Sequence, residues 1–192
     1  MAVLDEEELV ERAKRADHEA YALLVDTYKQ RLFTYVYHMM NKEHDAEDMT
    51  QDVFIKAYTH LHTYTRQGSF WTWLSRIAYN HCIDELRKRS RIQFTPVYED
   101  TLEPDGETPE KICVDKEKRE ELYEQVMALQ ESYRDVILLR HMQQLNYQEI
   151  SEVLGIPVST VQVRLHRARN KLRNNLIAQS KQGGVLHEML DV

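Results

Sequence analysis

The chain has 192 residues and a formal net charge of −7, which is enough length for one or two small domains with cores of their own. Cys82 and Cys113 lie far apart in no metal-ligand spacing, and the N-terminus lacks the apolar stretch of a signal peptide. No run approaches the roughly 18 uninterrupted apolar residues of a membrane span. We therefore expect a reduced, cytoplasmic protein with no cofactor, no metal and no stable membrane insertion.

Helical spacing of apolar residues dominates the chain, and there are only five glycines. This pattern predicts an all-α fold of two small helical domains. Before the middle of the chain, helices are predicted near 5–16, 18–40, 44–61 and 69–90. After it, they are predicted near 110–129, 132–143, 147–154 and 158–177.

A flexible acidic linker is predicted over 95–109, because this stretch holds three of the four prolines and little periodic apolar sequence. The acid excess also centres here, since residues 96–121 carry 10 acidic and 4 basic side chains. The prediction is thus one domain over 1–94, a second over 110–178 and a tail over 179–192. Both domains can still present local positive surfaces.

The predicted helix 44–61 has polar residues opposite its apolar face. Ala46, Met49, Val53 and Ala57 satisfy the core, so Asp48, Gln51 and Asp52, together with Asp45, fall on the other side. Such a carboxylate cluster could coordinate a cation, take part in acid-base chemistry, dock a basic protein surface or simply be hydrated. Spacing alone leaves these alternatives open.

The predicted helix 69–90 combines aromatic and basic residues. Trp71, Tyr79 and Asn80 precede a basic cluster at Arg87–Arg91. Aromatic rings beside a positive groove are typical of single-strand binding, since bases stack on rings while the backbone follows the charge. The alternative is that the tryptophans are core and that the basic run ends a helix at its negative dipole terminus.

A helix-turn-helix is predicted over Tyr147–Arg173. Ile150, Val153 and Leu154 form one apolar stripe, and a second stripe follows a turn in which Gly155 suits a left-handed C-cap and Pro157 a helix start. From Arg164 to Arg173 there are five basic residues and no acid, which favours a polyanion. Together these features are typical of a reading head for double-stranded DNA.

These segments resemble two conserved regions of bacterial sigma factors. Three segments resemble the second region: AYALLVDTYKQRLFTYVY, then DAEDMTQDVFIKAY at Asp45–Tyr58, then GSFWTWLSRIAYNHCIDELRKRSR at Gly68–Arg91. The fourth is resembled by LQESYRDVILLRHMQQLNYQEISEVLGIPVSTVQVRLHRARNKLR at Leu129–Arg173. The order and compactness indicate the extracytoplasmic function subgroup. The resemblance implies an initiation subunit that binds core RNA polymerase, directs it to promoters and helps to open the duplex.

The resemblance also implies roles for individual residues. Asp48, Gln51 and Asp52 would dock a coiled coil of polymerase. The loop Tyr64–Ser69 and the helix after it would capture flipped bases of the non-template single strand at the minus-10 element, a step that costs a few kcal/mol of unstacking. The residues expected near this strand are Trp71, Asn80, Arg87, Lys88 and Arg91, with the three basic side chains on phosphates.

For the minus-35 element, the resemblance implies that the last helix lies in the major groove of double-stranded promoter DNA. The residues expected to face bases are Gln162, Val163, His166 and Arg167, whereas Ser159, Thr160 and Arg164 are better placed for phosphates. Many relatives carry a small polar residue where this chain has Val163. An anti-sigma factor is a further partner that the family implies.

Two other classes of function compete with this interpretation. A stand-alone DNA-binding regulator could use the same helix-turn-helix, but it would need a dimer surface or an effector domain. An enzyme would need a constellation that the chain lacks, because its nine histidines include no HExxH motif and no glycine loop cradles a phosphate. We therefore predict no enzymatic activity.

Overall fold

A computed structural model describes residues 5–65, 68–92 and 122–180, the last three residues of the second and third ranges by their backbone alone. The described residues contain helices and connecting turns, which confirms the predicted all-α fold. The predicted linker 95–109, the segment 110–121 and the tail from 181 onward lie outside the described residues.

The first half contains four helices: α1 (Glu6–Lys14), α2 (His18–Met40), α3 (Glu43–His60) and α4 (Phe70–Ile92). A short 3₁₀ helix, Leu61–Thr63, extends α3. The bounds of α2 are those predicted, and those of α3 differ by one residue at each end. The predicted helix 5–16 is shorter in the structure because Ala16 adopts a left-handed backbone with φ of 63°.

Local capping sets where α2 begins and ends. The Asp17 carboxylate accepts a hydrogen bond of 3.0 Å from the backbone N–H of Ala20, which satisfies a donor in the first turn. This bond, and then the neighbouring Arg12, hold the pKa of Asp17 below its ordinary value. The helix ends at Asn41, whose left-handed backbone donates back to the carbonyl of Tyr37.

After residue 121, the described stretch 122–127 is helical, and three further helices follow: α5 (Glu131–Ile137), α6 (Tyr147–Leu154) and α7 (Val158–Ser180). A π-helical turn, Leu138–Met142, continues α5, so the predicted single helix 132–143 consists of an α-helix followed by a π-helix. Between α6 and α7, Gly155 is left-handed with φ of 64°, as predicted for a helix-ending glycine.

The chain divides into two compact units. Among the described residues, the first consists of 5–92 without the gap at 66–67, together with Gln148–Gly155, and the second of 122–147 and 156–180. Fully buried side chains on α2, α3 and α4 form the core of the first unit, including Leu24, Leu32, Val36, Val53, Phe70 and Leu74. In the second unit the buried side chains include Val136, Leu139, Val161 and Leu165.

Candidate nucleic-acid and protein interfaces

The outer side of α7 presents most of the residues predicted to read duplex DNA. Val161, Leu165, Ala168 and Leu172 are buried, at 3% exposure or less, and fix the inner side of the helix. Ser159, Gln162, Val163, His166 and Arg167 are all exposed, while Thr160 and Arg164 are partly covered. The structure therefore brings the predicted minus-35 residues together along one side of a single rigid helix.

Two basic side chains of α7 contact neighbouring parts of the second unit. Arg169 contacts His141 at 3.5 Å, and the Lys171 ammonium lies 4.8 Å from the centre of the Tyr133 ring. Burial, reinforced by Arg169 and Arg140, lowers the pKa of His141. Arg169 and Lys171 are thus partly engaged with the π turn and α5, whereas Arg164 and Arg167 lie nearer the start of the helix.

The acidic face of α3, consisting of Asp48, Gln51 and Asp52, is exposed in the structure. The side chains of Asp48 and Asp52 are 67% and 58% exposed, so neither carboxylate is committed to the core. His44 lies 3.9 Å from Asp48 one turn earlier. Ile55, on the next turn of the same side, is 64% exposed, which makes this surface mixed acidic and apolar.

One contact crosses from this face to α4. The Nε2 atom of His81 lies 3.3 Å from Asp52 Oδ2, and its Nδ1 atom lies 2.6 Å from Lys56 Nζ. Sequence reasoning missed His81, because nothing in the spacing along one helix indicates which residue of another helix faces it.

Trp71 does not lie on the surface where it was expected. It is 4% exposed, stacks on the Tyr28 ring at 5.6 Å and carries the Arg31 guanidinium 4.1 Å from its ring centre. Nine residues, about two and a half turns, separate Trp71 from Asn80, so the two lie on opposite sides of α4. The predicted contact between Trp71 and the minus-10 strand is therefore corrected: Trp71 is a core residue.

Trp73 occupies the side of α4 that Trp71 was expected to occupy. It is half-buried and lies about two turns before the exposed Asn80. Both residues line one cavity with Tyr64, Arg76 and Ile77. Sequence reasoning also missed Trp73 and Arg76, although counting back in helical turns from Asn80 would have found them.

The basic end of α4 has a partly buried part and an exposed part. Arg89 bonds to Asp45 on α3 and lies 3.3 Å from Glu85, and these partners raise its pKa. Arg87 and Lys88 are exposed, with Lys88 3.6 Å from Glu85. Arg91 lies in the part of α4 that is described by its backbone alone. Arg87 also follows Asn80 by about two turns, so it extends the same side of the helix.

No helix among 5–65, 68–92 and 122–180 is both long enough and apolar enough to cross a lipid bilayer. Within the same stretches, no three histidine, cysteine or acidic side chains are grouped to hold a metal ion.

Comparison with known proteins decides what these surfaces belong to. The Sigma-70 region 2 model matches residues 24–92, and the Sigma-70 region 4 model matches 119–172. The ECF RNA polymerase sigma factor SigW of Bacillus subtilis is 35% identical over 177 residues, covering 87% of this chain and 94% of the relative. The chain belongs to the ECF family of RNA polymerase sigma factors.

Two other similarities extend across nearly the whole sigma factor. The ECF RNA polymerase sigma-E factor of Escherichia coli K12 is 30% identical over 182 residues, which cover 90% of this chain and 95% of the relative. The solved structure of CnrH, in complex with the cytosolic domain of CnrY, superposes with a TM-score of 0.67 at 25% identity. That match covers 88% of this chain and 96% of CnrH.

Membership of this family gives the chain its function. It is a transcription initiation factor that acts with core RNA polymerase and recognises promoter DNA, and it is not itself an enzyme. The rival interpretations as a stand-alone regulator and as an enzyme are thereby set aside.

Proposed function

We propose a division of labour among three surfaces of this sigma factor. In it, residues 1–94 bind core polymerase and the minus-10 element, and residues 110–178 read the minus-35 element. The observation that carries the proposal is the separation of chemistry by helix. The exposed carboxylates lie on α3, an aromatic-lined cavity lies beside basic residues on α4, and polar and basic side chains lie on α7.

Polymerase binding is assigned to Asp48, Gln51 and Asp52 on α3. Two exposed carboxylates on a rigid helix attract a basic partner surface and set its orientation. The exposed Ile55 beside them adds apolar surface that a bound partner would remove from water. This mixture is suited to a protein surface, whereas a hydrated acidic face would need no exposed isoleucine.

Strand capture at the minus-10 element is assigned to the side of α4 that carries Asn80, Arg87, Lys88 and Arg91, with Trp73 and Arg76 added. Bases that leave the duplex lose their stacking, and an aromatic cavity replaces part of it. The exposed Arg87 and Lys88, together with Arg91, would follow the phosphates of the strand, which makes the affinity salt-dependent. Trp71 supports this surface from the core.

Reading of the minus-35 element is assigned to the outer side of α7. Arg167 would make bidentate hydrogen bonds to guanine and Gln162 to adenine, with His166 and Val163 on neighbouring bases. Ser159, Thr160 and Arg164 would hold phosphates and so fix the register of the helix in the groove.

Two further features follow from this assignment. The sigma factor would work in the cytoplasm, where promoter DNA and polymerase are found. An anti-sigma factor is a proposed partner, because the family implies one, and the solved relative CnrH is bound to a second protein, the cytosolic domain of CnrY.

Reconstitution with core polymerase tests the proposal. The full chain should co-purify with core enzyme, and sequencing of the 5′ ends of transcripts made on genomic DNA should reveal start sites with two shared upstream elements. A chain that co-purifies but confers no choice of start site would rule out promoter reading by α4 and α7. A chain that does not co-purify would rule out the role of α3.

A further inference from the structure

An apolar side chain lies at the centre of the polar surface with which α7 would meet DNA. Val161, Leu165, Ala168 and Leu172 mark the buried side of the helix. At about 100° per residue, Val163 lies about 170° from the centre of that stripe, whereas Gln162, His166 and Arg167 are turned further to either side. Val163 is 48% exposed, so its methyl groups point outward rather than into the core.

We propose that Val163 recognises the C5-methyl group of a thymine in the minus-35 element. The inference rests on the proposed role of α7 and adds the base that its central position selects. The thymine methyl is the apolar group on the floor of the major groove, and valine has no hydrogen-bonding atom to offer any base edge. Contact between the two removes apolar surface of both from water.

The same contact discriminates against the other bases. A cytosine or adenine at this position would place an exocyclic amino group against the valine, and a guanine would place acceptors there. Each of these polar groups would lose its water without gaining a partner. The neighbouring polar residues do not relieve this loss in the proposed arrangement, because Gln162, His166 and Arg167 are used on adjacent bases.

The test removes the methyl group of the base and the methyl groups of the side chain in turn. The full chain assembled with core polymerase is first used to select a minus-35 duplex from a random DNA library. Every thymine of that duplex, on either strand, is then replaced singly by deoxyuridine, which keeps all hydrogen-bonding groups. At one position this replacement should weaken binding roughly fourfold, the affinity equivalent of burying one methyl group.

The variants V163A and V163S decide whether valine is the partner of that methyl group. Both should bind the thymine duplex more weakly than the unmodified chain and should no longer distinguish it from the deoxyuridine duplex. I177A is the matched control, since Ile177 is an exposed residue of the same helix, 43% exposed and about four turns further on. It should retain the full deoxyuridine effect.

Two results would overturn the inference while leaving promoter reading intact: no thymine responds to deoxyuridine, or the response persists in V163A and V163S. Failure to select any sequence would instead overturn the proposed role of α7, and the inference with it. Because Val163 is exposed, unfolding curves of the variants should overlay that of the unmodified chain, which separates recognition from folding.

Discussion

His81 on α4 holds the Asp52 carboxylate on α3 through its Nε2 atom at 3.3 Å, while Lys56 Nζ lies 2.6 Å from its Nδ1 atom. Lysine can only donate a hydrogen bond, so in this arrangement Nδ1 is the acceptor and Nε2–H is the donor that faces Asp52. That proton is donated to Asp52. The His81 side chain is 12% exposed and Asp52 is 58% exposed, so a largely covered ring orients a largely open carboxylate.

Replacing His81 by alanine should therefore weaken polymerase binding although Asp52 and Lys56 are both retained. Asp52 and Lys56 would both lose their contact with the His81 ring. The Asp52 carboxylate would then be less ordered in the free protein, and binding would have to supply the entropy cost of ordering it. One such hydrogen bond corresponds to about a two- to tenfold change in affinity. Titration of fluorescently labelled core polymerase measures it, with the exposed His62→Ala as control. Equal losses in both variants would contradict the anchoring role.

The double variant Asp48→Ala with Asp52→Ala should reduce association with core polymerase but leave binding of the minus-35 duplex unchanged. Arg167→Ala should do the reverse, with a loss of about 1–3 kcal/mol for its base contact. Native gels with core enzyme and fluorescence anisotropy with duplex DNA measure the two steps. The control Glu124→Ala with Glu131→Ala removes the same charge from exposed positions elsewhere. If one variant fails in both steps, α3 and α7 do not act separately.

Trp71→Ala should lower the free energy of unfolding by about 3–5 kcal/mol, as expected for loss of a buried tryptophan. Its ring packs on Tyr28 and under Arg31, and both contacts would be lost. Trp73→Ala should cost less stability and should chiefly weaken capture of single-stranded minus-10 DNA. Urea unfolding followed by circular dichroism and strand binding by anisotropy separate the two. The opposite ranking would reverse the assignment of the two sides of α4.

Acidic pH should destabilise the first unit through His38. Burial lowers the pKa of His38 below the ordinary value of 6.5, so the folded chain binds this proton less readily than the unfolded chain does. Its contribution is complete above pH 6.5 and is lost as the pH falls through that value toward the folded pKa. The variant His38→Gln should flatten this dependence.

Tryptophan fluorescence reports the pH effect in the correct unit, because both tryptophans of the chain lie on α4. Urea midpoints measured between pH 7.5 and 5.5 should fall more in the unmodified chain than in His38→Gln. The exposed His62→Gln should follow the unmodified chain. Parallel decline in all three would show that His38 does not carry the effect.

Helix positions followed well from the sequence because periodicity and caps are local. The bounds of α2 and α6 agree with those expected, and Asp17 and Gly155 show why, since Asp17 begins α2 and Gly155 ends α6 by local chemistry. The π turn at Leu138–Met142 was not expected, because its hydrogen bonds depend on backbone packing that apolar spacing does not record.

The candidate site was less predictable wherever it depends on which side of a helix is covered. Trp71 and Trp73 are two residues apart and equally aromatic, and only the buried line through Leu74 and Ala78 places Trp71 in the core. The contact between Asp52 and His81 joins two helices and leaves no trace in either one's spacing. The exposed side of α7 was easier to predict, because a single helix with a strong apolar stripe determines its own outer side.

Gly155 offers a place at which the reading head could be stiffened by chemical synthesis. Its φ of 64° belongs to the mirror-image half of backbone space, and a β-carbon built there would meet no atom within 4 Å. A D-alanine adopts that backbone without strain, and protein ligation could install one there. It would reduce the conformational entropy of the denatured chain and so raise the free energy of unfolding by about 0.4–1 kcal/mol. An L-alanine would occupy the same open space against its backbone preference. The difference in stability between the D-alanine and L-alanine proteins would therefore measure the effect of residue chirality alone.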